Sequence, residues 1–331
     1  MTGRVRCESA DAGKELRIDA SIYMGEPRLR RVKRELAIRV GAHCFLPRVD
    51  DLAGDWVGHV SIPAFRLLRE QRAEAVTSFC SIGTGSGLDV LGGIEIFGPT
   101  RVGLTDVHEE VVAAAVENVR RNTAGASPPA IEAGAGDLLE PLRRFAPSYD
   151  VIYENLPNVP AASADEVAAD RTSSTHVPPR TEPVPALVKQ QLLDLHFIAL
   201  QRAREFLAPG GVVLSALGAR VPLEHFLGMS QAAGFSGSFL TYTWKVQAEG
   251  ESVIRDHAAK QREGFGPFHF YPAAFLRERF RSVELSTSGS RALEIERALA
   301  PERLDAAQAW ESFRRGDAIG HTAVVLKSVP R

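Results

Sequence analysis

An α/β fold built on a mostly parallel sheet is predicted by three features of the chain. Short apolar runs alternate with amphipathic helical patterns from Ala75 onward, the turn Gly83-Thr84-Gly85-Ser86-Gly87 stands where the first run meets a helix, and an acid, Asp106, ends the second run. With 331 residues and 44% hydrophobic side chains, the chain can bury a substantial core.

Before the alternation begins, residues 1 to about 20 are polar and predict a frayed start. The stretch from Glu26 to Val40, EPRLRRVKRELAIRV, puts Leu29, Val32, Leu36 and Ile38 on one side and Arg30, Arg31, Lys33 and Arg34 on the other. That spacing predicts an amphipathic helix with a basic face. A second helix is predicted from HVSIPAFRLLREQ to Ala73, so that residues 1–74 form a helical extension able to cover a ligand pocket.

The predicted strands are then Val76–Gly83, Arg101–Val107, a weak one near Ile131, Tyr149–Asn155, Val212–Leu217, the run SFLTYTWKV, and His321–Val329. Between them the clearest helix is HEEVVAAAVENVRRN, whose early acids and late arginines match the helix dipole. LVKQQLLDLHFIALQRAREFL reads as one long helix, and Pro209-Gly210-Gly211 as a turn. Residues 160–186 are rich in proline and serine and read as a long loop. The organisation predicted is a helical extension over 1–74, a core over 75–248, an inserted cap over 249–318 and a final core strand over 319–331. The resulting sheet is seven-stranded, Rossmann-like and mostly parallel, with an antiparallel last strand.

A net charge of −2 gives no global reason to expect nucleic acid or an anionic membrane as partner. Cys7, Cys44 and Cys80 are far apart and form no CxxC pair, so neither a disulfide framework nor a metal site is expected. The polar N-terminus and the lack of any long apolar run point to a cytoplasmic protein with a small-molecule substrate; a homodimer is left open.

A strand that ends in Gly-x-Gly-x-Gly and passes into a helix lets backbone amides approach a ligand closely. Leu88 stands where a dinucleotide fingerprint needs its third glycine, which counts against a nicotinamide or flavin dinucleotide. Asp106, with Val107 after it, lies about twenty residues beyond the turn, where a carboxylate can accept both hydroxyls of a ribose. Asp137 and Leu138, after the third strand, offer a carboxylate and an apolar face to an adenine.

Taken together, FCSIGTGSGLD, GLTDVHEEVVAAAVENVRRN, AGDLLEPL, YDVIYENLPNVP and FLAPGGVVLSALG follow the motif order of class I S-adenosylmethionine (SAM) dependent methyltransferases. They most resemble the family that methylates release-factor glutamine amides. The match spans about Ala75 to Phe235. The resemblance implies SAM as cofactor, held by Ser81, Gly83, Thr84, Gly85, Gly87, Asp106, Val107, Asp137, Leu138 and Asn155. The family's strand-four motif Asn-Pro-Pro-Tyr reads Asn155-Leu156-Pro157-Asn158 here, so the aromatic platform for a planar substrate is replaced by an amide. Ser81 stands where the family commonly has an acid for the methionine ammonium, so a second carboxylate, from Glu154 or the N-terminal extension, is expected to help.

An Asn side-chain oxygen and the carbonyl after it can accept both hydrogens of an amine and aim its lone pair at a methyl group. Asn155 is therefore the expected positioning residue. Tyr153 is a further candidate, since alternation along the strand should turn one of Tyr153 and Glu154 to the pocket and the other to the core. His176, in the loop after strand four, is the candidate acid or base. The expected reaction is methyl transfer to a nitrogen or oxygen of a small molecule of specialised metabolism. A SAM-using enzyme that releases methylthioadenosine, a protein or RNA N-methyltransferase docking through the basic helix, and a non-catalytic SAM-binding protein are the competing expectations.

Overall fold

In the computed structural model, which describes residues 14–41, 43–125, 127–161 and 176–331, the first elements are strands where the sequence pattern predicts a helix. The described residues fall into two units. The first runs to Glu154 and takes in Glu205–Gly211; the second holds 155–161, 176–204 and Val212–Arg331. The division falls at the end of the fourth predicted strand of the core.

In the first unit the chain runs through β1 (Lys14–Asp19), α1 (Ala20–Tyr23), β2 (Glu35–Val40), a π-helical turn (Val57–Ser61), α2 (Ile62–Gln71), β3 (Ser78–Ile82) and α3 (Leu88–Phe97). It continues with β4 (Arg101–Asp106), α4 (Glu109–Asn122), β5 (Ala130–Ala135) and β6 (Tyr149–Glu154). Strands β4, β3 and β6 pair parallel around β3, and β5 adds parallel to β4. All five residues of β3 are buried, as a central strand covered on both faces requires. Phe65 of α2 packs edge-on against Phe79 of β3 and Tyr153 of β6, at ring distances of 5.4 and 5.0 Å. Burial of such rings contributes about 2–3 kcal/mol apiece.

The predicted basic helix over 26–40 is replaced by the β1–β2 hairpin, in which Leu16 pairs with Ile38 and Ile18 with Leu36. Three buried polar side chains account for the difference. The Glu95 carboxylate of α3 accepts the amides of Arg30, Arg31 and Val32 at 2.8–2.9 Å, so these amides are not available to a helical ladder. On the free edge of β2, Asn122 of α4 exchanges two hydrogen bonds with the Ala37 backbone and Asn118 two with that of Arg39, each imitating a neighbouring strand. Asn122 is 1% exposed. Asn122→Ala would strand a buried amide and carbonyl, and is expected to cost about 2–3 kcal/mol in equilibrium denaturation; an unchanged midpoint would disprove this edge-capping role.

The second unit contains the short parallel pair β7 (Val159–Pro160) and β8 (His176–Val177), then α5 (Ala186–Gln190), α6 (Asp194–Ala203), β9 (Leu207–Ala219), α7 (Leu223–Ala232) and β10 (Phe235–Val246). The residues of β9 before Val212 belong to the first unit. After β10 come α8 (Gly250–Arg262), β11 (Tyr271–Pro272), α9 (Ala273–Arg279), α10 (Leu285–Ser288), α11 (Ala292–Leu299), α12 (Ala306–Arg314) and β12 (Ile319–Pro330). Strand β12 runs antiparallel to both β9 and β10. The hydrogen-bonded order is β10-β12-β9-β6-β3-β4-β5, with β11 as an eighth member on β12. This is the Rossmann-like sheet predicted, its last strand antiparallel and inserted.

Two further elements differ from their predicted form. The single helix expected over 187–207 is broken at Leu192, which is left-handed at φ 57° and buried, where Gln191 turns aside to donate to the Gly266 carbonyl at 2.9 Å. Pro209-Gly210-Gly211 does not turn the chain but lies within β9, since a Cβ on Gly211 would meet the Tyr149 carbonyl at 2.7 Å. The frayed start and most of the loop over 160–186 lie outside the described residues. Among the described helices none is long and apolar enough to cross a membrane.

Candidate functional site

The carboxyl end of β3 passes into α3 through Gly83, Gly85 and Gly87, whose φ angles of 67°, 50° and 78° are all left-handed. A side chain on Gly87 would press on Ala115 and Val119 of α4 at 3.3–3.4 Å, and one on Gly85 would meet the Cys44 sulfur at 3.3 Å. The turn is therefore built for close backbone approach on one side and close helix packing on the other. Thr84 ties it to the next strand, its amide donating to the Thr105 carbonyl at 2.9 Å.

Two carboxylates flank the turn. Asp106, at the end of β4, accepts the Gly85 amide on one oxygen at 3.2 Å and the His108 amide on the other at 3.3 Å. Burial raises its pKa against the pull of those hydrogen bonds. Asp89, on the first turn of α3, is 4% exposed and accepts from Ser81 Oγ in a short hydrogen bond, from Thr84 Oγ1 at 3.2 Å and from the Val90 amide at 2.7 Å. Burial pushes it up to about 6. No cation pairs with Asp89 among the described residues, so its charge is held by hydroxyls and one amide alone.

Asp89 is a candidate site residue that the sequence pattern did not single out. The carboxylate that meets Ser81 in the structure is Asp89 of α3. A signal was present: Ser81 lacks the acid usual at its position, and Asp89 lies eight residues on, just inside the helix that the turn opens. Glu154 is fully buried at the end of β6, opposite Ile82 of β3.

The N-terminal extension does reach the turn. Cys44 lies against Gly85, and burial with the nearby charges of Asp106 and Asp89 pushes its thiol up to about 12, so it is an inert apolar cover. Next to it, the His43 ring stacks on His108 at 4.4 Å and 16°, with His43 Nδ1 2.6 Å from the Glu110 carboxylate. The donor atoms of His43, His108 and Glu110 lie within 4.8 Å of one another. Because the rings are nearly parallel, their in-plane lone pairs run side by side and do not converge on one ion.

After β5, Asp137 is half-buried and Leu138 is buried with φ at 51°, a left-handed angle that costs a non-glycine residue about 1 kcal/mol. Val107 is 61% exposed at the mouth of β4.

Tyr153 and Glu154 alternate to opposite faces of β6, and both are buried. The Tyr153 hydroxyl bonds Ser61 Oγ at 2.5 Å and its ring packs on Phe65, so in this structure Tyr153 is a packing residue. Burial raises its pKa well above that of an ordinary phenol.

Asn155 begins the second unit, directly after the last residue of β6, and is half-buried at the head of the loop that runs to β7. His176 pairs with Val159 across β7 and β8, and its Nε2 lies 2.9 Å from Asp256. That carboxylate fixes the ring and its tautomer, the arrangement of an oriented acid or base.

No family model and no curated protein matches the chain. Among solved structures it is similar to the ribosomal protein L11 methylase of Lactobacillus delbrueckii subsp. bulgaricus, with 17% identity, 54% of this chain and 70% of that chain covered, and a TM-score of 0.35. It is also similar to a precorrin-6y C5,15-methyltransferase of Geobacter metallireducens, at 9% identity, coverage of 83% and 88%, and a TM-score of 0.37. The YcgJ protein of Bacillus subtilis matches at 13% identity, with coverage of 81% and 98% and a TM-score of 0.42.

Proposed function

We propose that this chain is a class I SAM-dependent methyltransferase that modifies a nitrogen or oxygen of a small molecule. The observation that carries the reading is Asp89, a buried carboxylate without a cation beside a left-handed glycine turn. A dinucleotide brings phosphates to such a turn, and a buried acid there would repel them. SAM brings an ammonium and a sulfonium, for which the acid is the right charge. The donor set fits the rest of that cofactor: Ser81 and Asp89 for the ammonium, the amides of Gly83, Thr84, Gly85 and Gly87 along the chain, and Asp106 with Val107 for the ribose. Asp137 and Leu138 suit the adenine, and Asn155 the end of the cofactor nearest the acceptor. Bound SAM supplies an electrophilic methyl group.

The protein's own contribution is placement. Asn155 holds the acceptor nitrogen or oxygen by its hydrogens, and His176, oriented by Asp256, takes or returns a proton. Cys44 and the residues around it exclude water from the turn. A small acceptor is favoured over RNA or a protein surface because the basic run that would have formed a docking helix is instead a turn and β2, with its backbone tied to Glu95.

The test is calorimetry with SAM and with S-adenosylhomocysteine. Micromolar binding is expected for the native chain, with a loss of about 10- to 100-fold in Asp106→Ala as two ribose hydrogen bonds to a charged acceptor disappear. No heat at high micromolar SAM would overturn the proposal. Product analysis then separates methyl transfer, which leaves adenosylhomocysteine, from chemistry that leaves methylthioadenosine.

A further inference from the structure

We propose that the second unit carries a binding site for a carboxylate, centred on Arg220, with His257 receiving a hydroxyl or N–H of the same ligand. That this carboxylate belongs to the methyl acceptor rests on the methyltransferase reading; that the unit binds it does not.

Arg220 follows Ala219, the last residue of β9, and so stands at a strand's carboxyl end, where open α/β sheets collect their ligands. The residue is 7% exposed. Its Nε and Nη2 donate to Gln247 Oε1 at 3.0 and 2.8 Å, and Nη2 also donates to His321 Nε2 at 3.1 Å. His321 Nδ1 donates to the Thr322 carbonyl at 2.8 Å, so the nitrogen facing Arg220 is a lone pair and the ring is neutral. These partners orient the guanidinium without neutralising it. Among the described residues no carboxylate pairs with Arg220, and Nη1 makes no hydrogen bond. Burial alone draws its pKa down to about 9, the response of a cation short of an anion. A second cation is nearby, since Lys245 lies directly across β10 and β12 from His321.

His257 supplies the independent observation. It is fully buried, its Nδ1 donates to the Val253 carbonyl at 2.7 Å, and its Nε2 has no partner. A buried acceptor of this kind is completed by a water, an ion or a ligand group that donates to it. The two groups are joined through one segment: the Arg220 carbonyl accepts the His269 amide at 2.7 Å, and the residues on either side of His269, Phe268 and Phe270, lie against the His257 ring. The rings of Phe268 and Phe270 meet the His257 ring edge-on at 4.9 and 5.7 Å, adding an apolar wall. The one acid beside them in sequence, Asp256, is engaged by His176 and Arg255. An oriented, unpaired guanidinium, a waiting lone pair and aromatic walls together describe a hydroxy- or amino-carboxylic acid with an apolar body.

The chain is titrated with 4-hydroxybenzoate, salicylate, phenyllactate and phenylalanine, each beside its primary amide, by saturation-transfer NMR, and with phenyl phosphate as a control. SAM calorimetry is run on the same samples. At least one acid is expected to bind tenfold or more tightly than its amide. Arg220→Gln should abolish that preference, and Arg220→Lys should keep part of it, with SAM affinity unchanged in both. Equal binding of acid and amide, tighter binding of phenyl phosphate, an undiminished preference in Arg220→Gln, or SAM binding with no acid bound would each overturn the inference. Acid binding without SAM binding would uphold it and overturn the methyltransferase reading. If Arg220→Gln does not fold by circular dichroism, Arg220→Lys decides, a loss of preference below wild type supporting the site.

Discussion

Asn155→Ala is expected to lower kcat for methyl transfer by about a thousandfold, while SAM still binds within a few-fold of the native affinity and the melting temperature hardly moves. The residue is half-buried in the loop after β6, so truncation removes little packing. Its proposed work is alignment, and alignment energy is realised in the transition state; the loss should appear in kcat and in kcat/KM together. Asn155→Asp keeps an accepting oxygen and is expected to retain part of the rate with an amine acceptor. Turnover that survives Asn155→Ala would remove the residue from the mechanism.

Asp89→Asn is expected to make the protein more stable and its cofactor binding worse. In the folded chain Asp89 titrates near 6, against 3.8 for an ordinary aspartate. Between those two pH values the native state keeps a proton that the unfolded state releases, so stability falls as pH rises through that window. Above pH 6 the penalty is on the order of 3 kcal/mol. The asparagine amide fills the same space without charge, so denaturation at pH 7.5 should show a higher midpoint than wild type, and the gap should close below pH 4. SAM affinity should drop by 10- to 100-fold at pH 7.5 because its ammonium loses the buried charge. In the wild type the affinity should also weaken as pH falls below about 6, a dependence that the variant lacks. A variant that is less stable at pH 7.5, or that binds SAM as well as the wild type does, would show that Asp89 is only a structural hydrogen-bond acceptor.

Strands β3, β4 and β6, helices α2 and α4 and the antiparallel β12 were all legible, because each is written in local terms: a two- or 3.6-residue period, glycines that permit left-handed turns, acids and bases sorted along a helix. The hairpin of β1 and β2 was not. Its arginine-rich run has helical spacing, and only the partners Glu95, Asn118 and Asn122, some 63 to 85 residues away, draw its amides into other bonds. The break at Leu192 has the same origin, in a hydrogen bond from Gln191 to Gly266.

The sequence by itself determined the alternation of strands and helices, the glycine turn with Asp106 about twenty residues beyond it, and the Asn155 loop. All of these depend on residues close together in the chain, where backbone preference decides. Only the tertiary structure decided that Ser81 meets Asp89, that Tyr153 belongs to the core, and that Arg220 and His257 are buried with bonds unmade. Those are matters of which charges are taken out of water and what they meet there, and desolvation is a property of the packed molecule that no local pattern encodes.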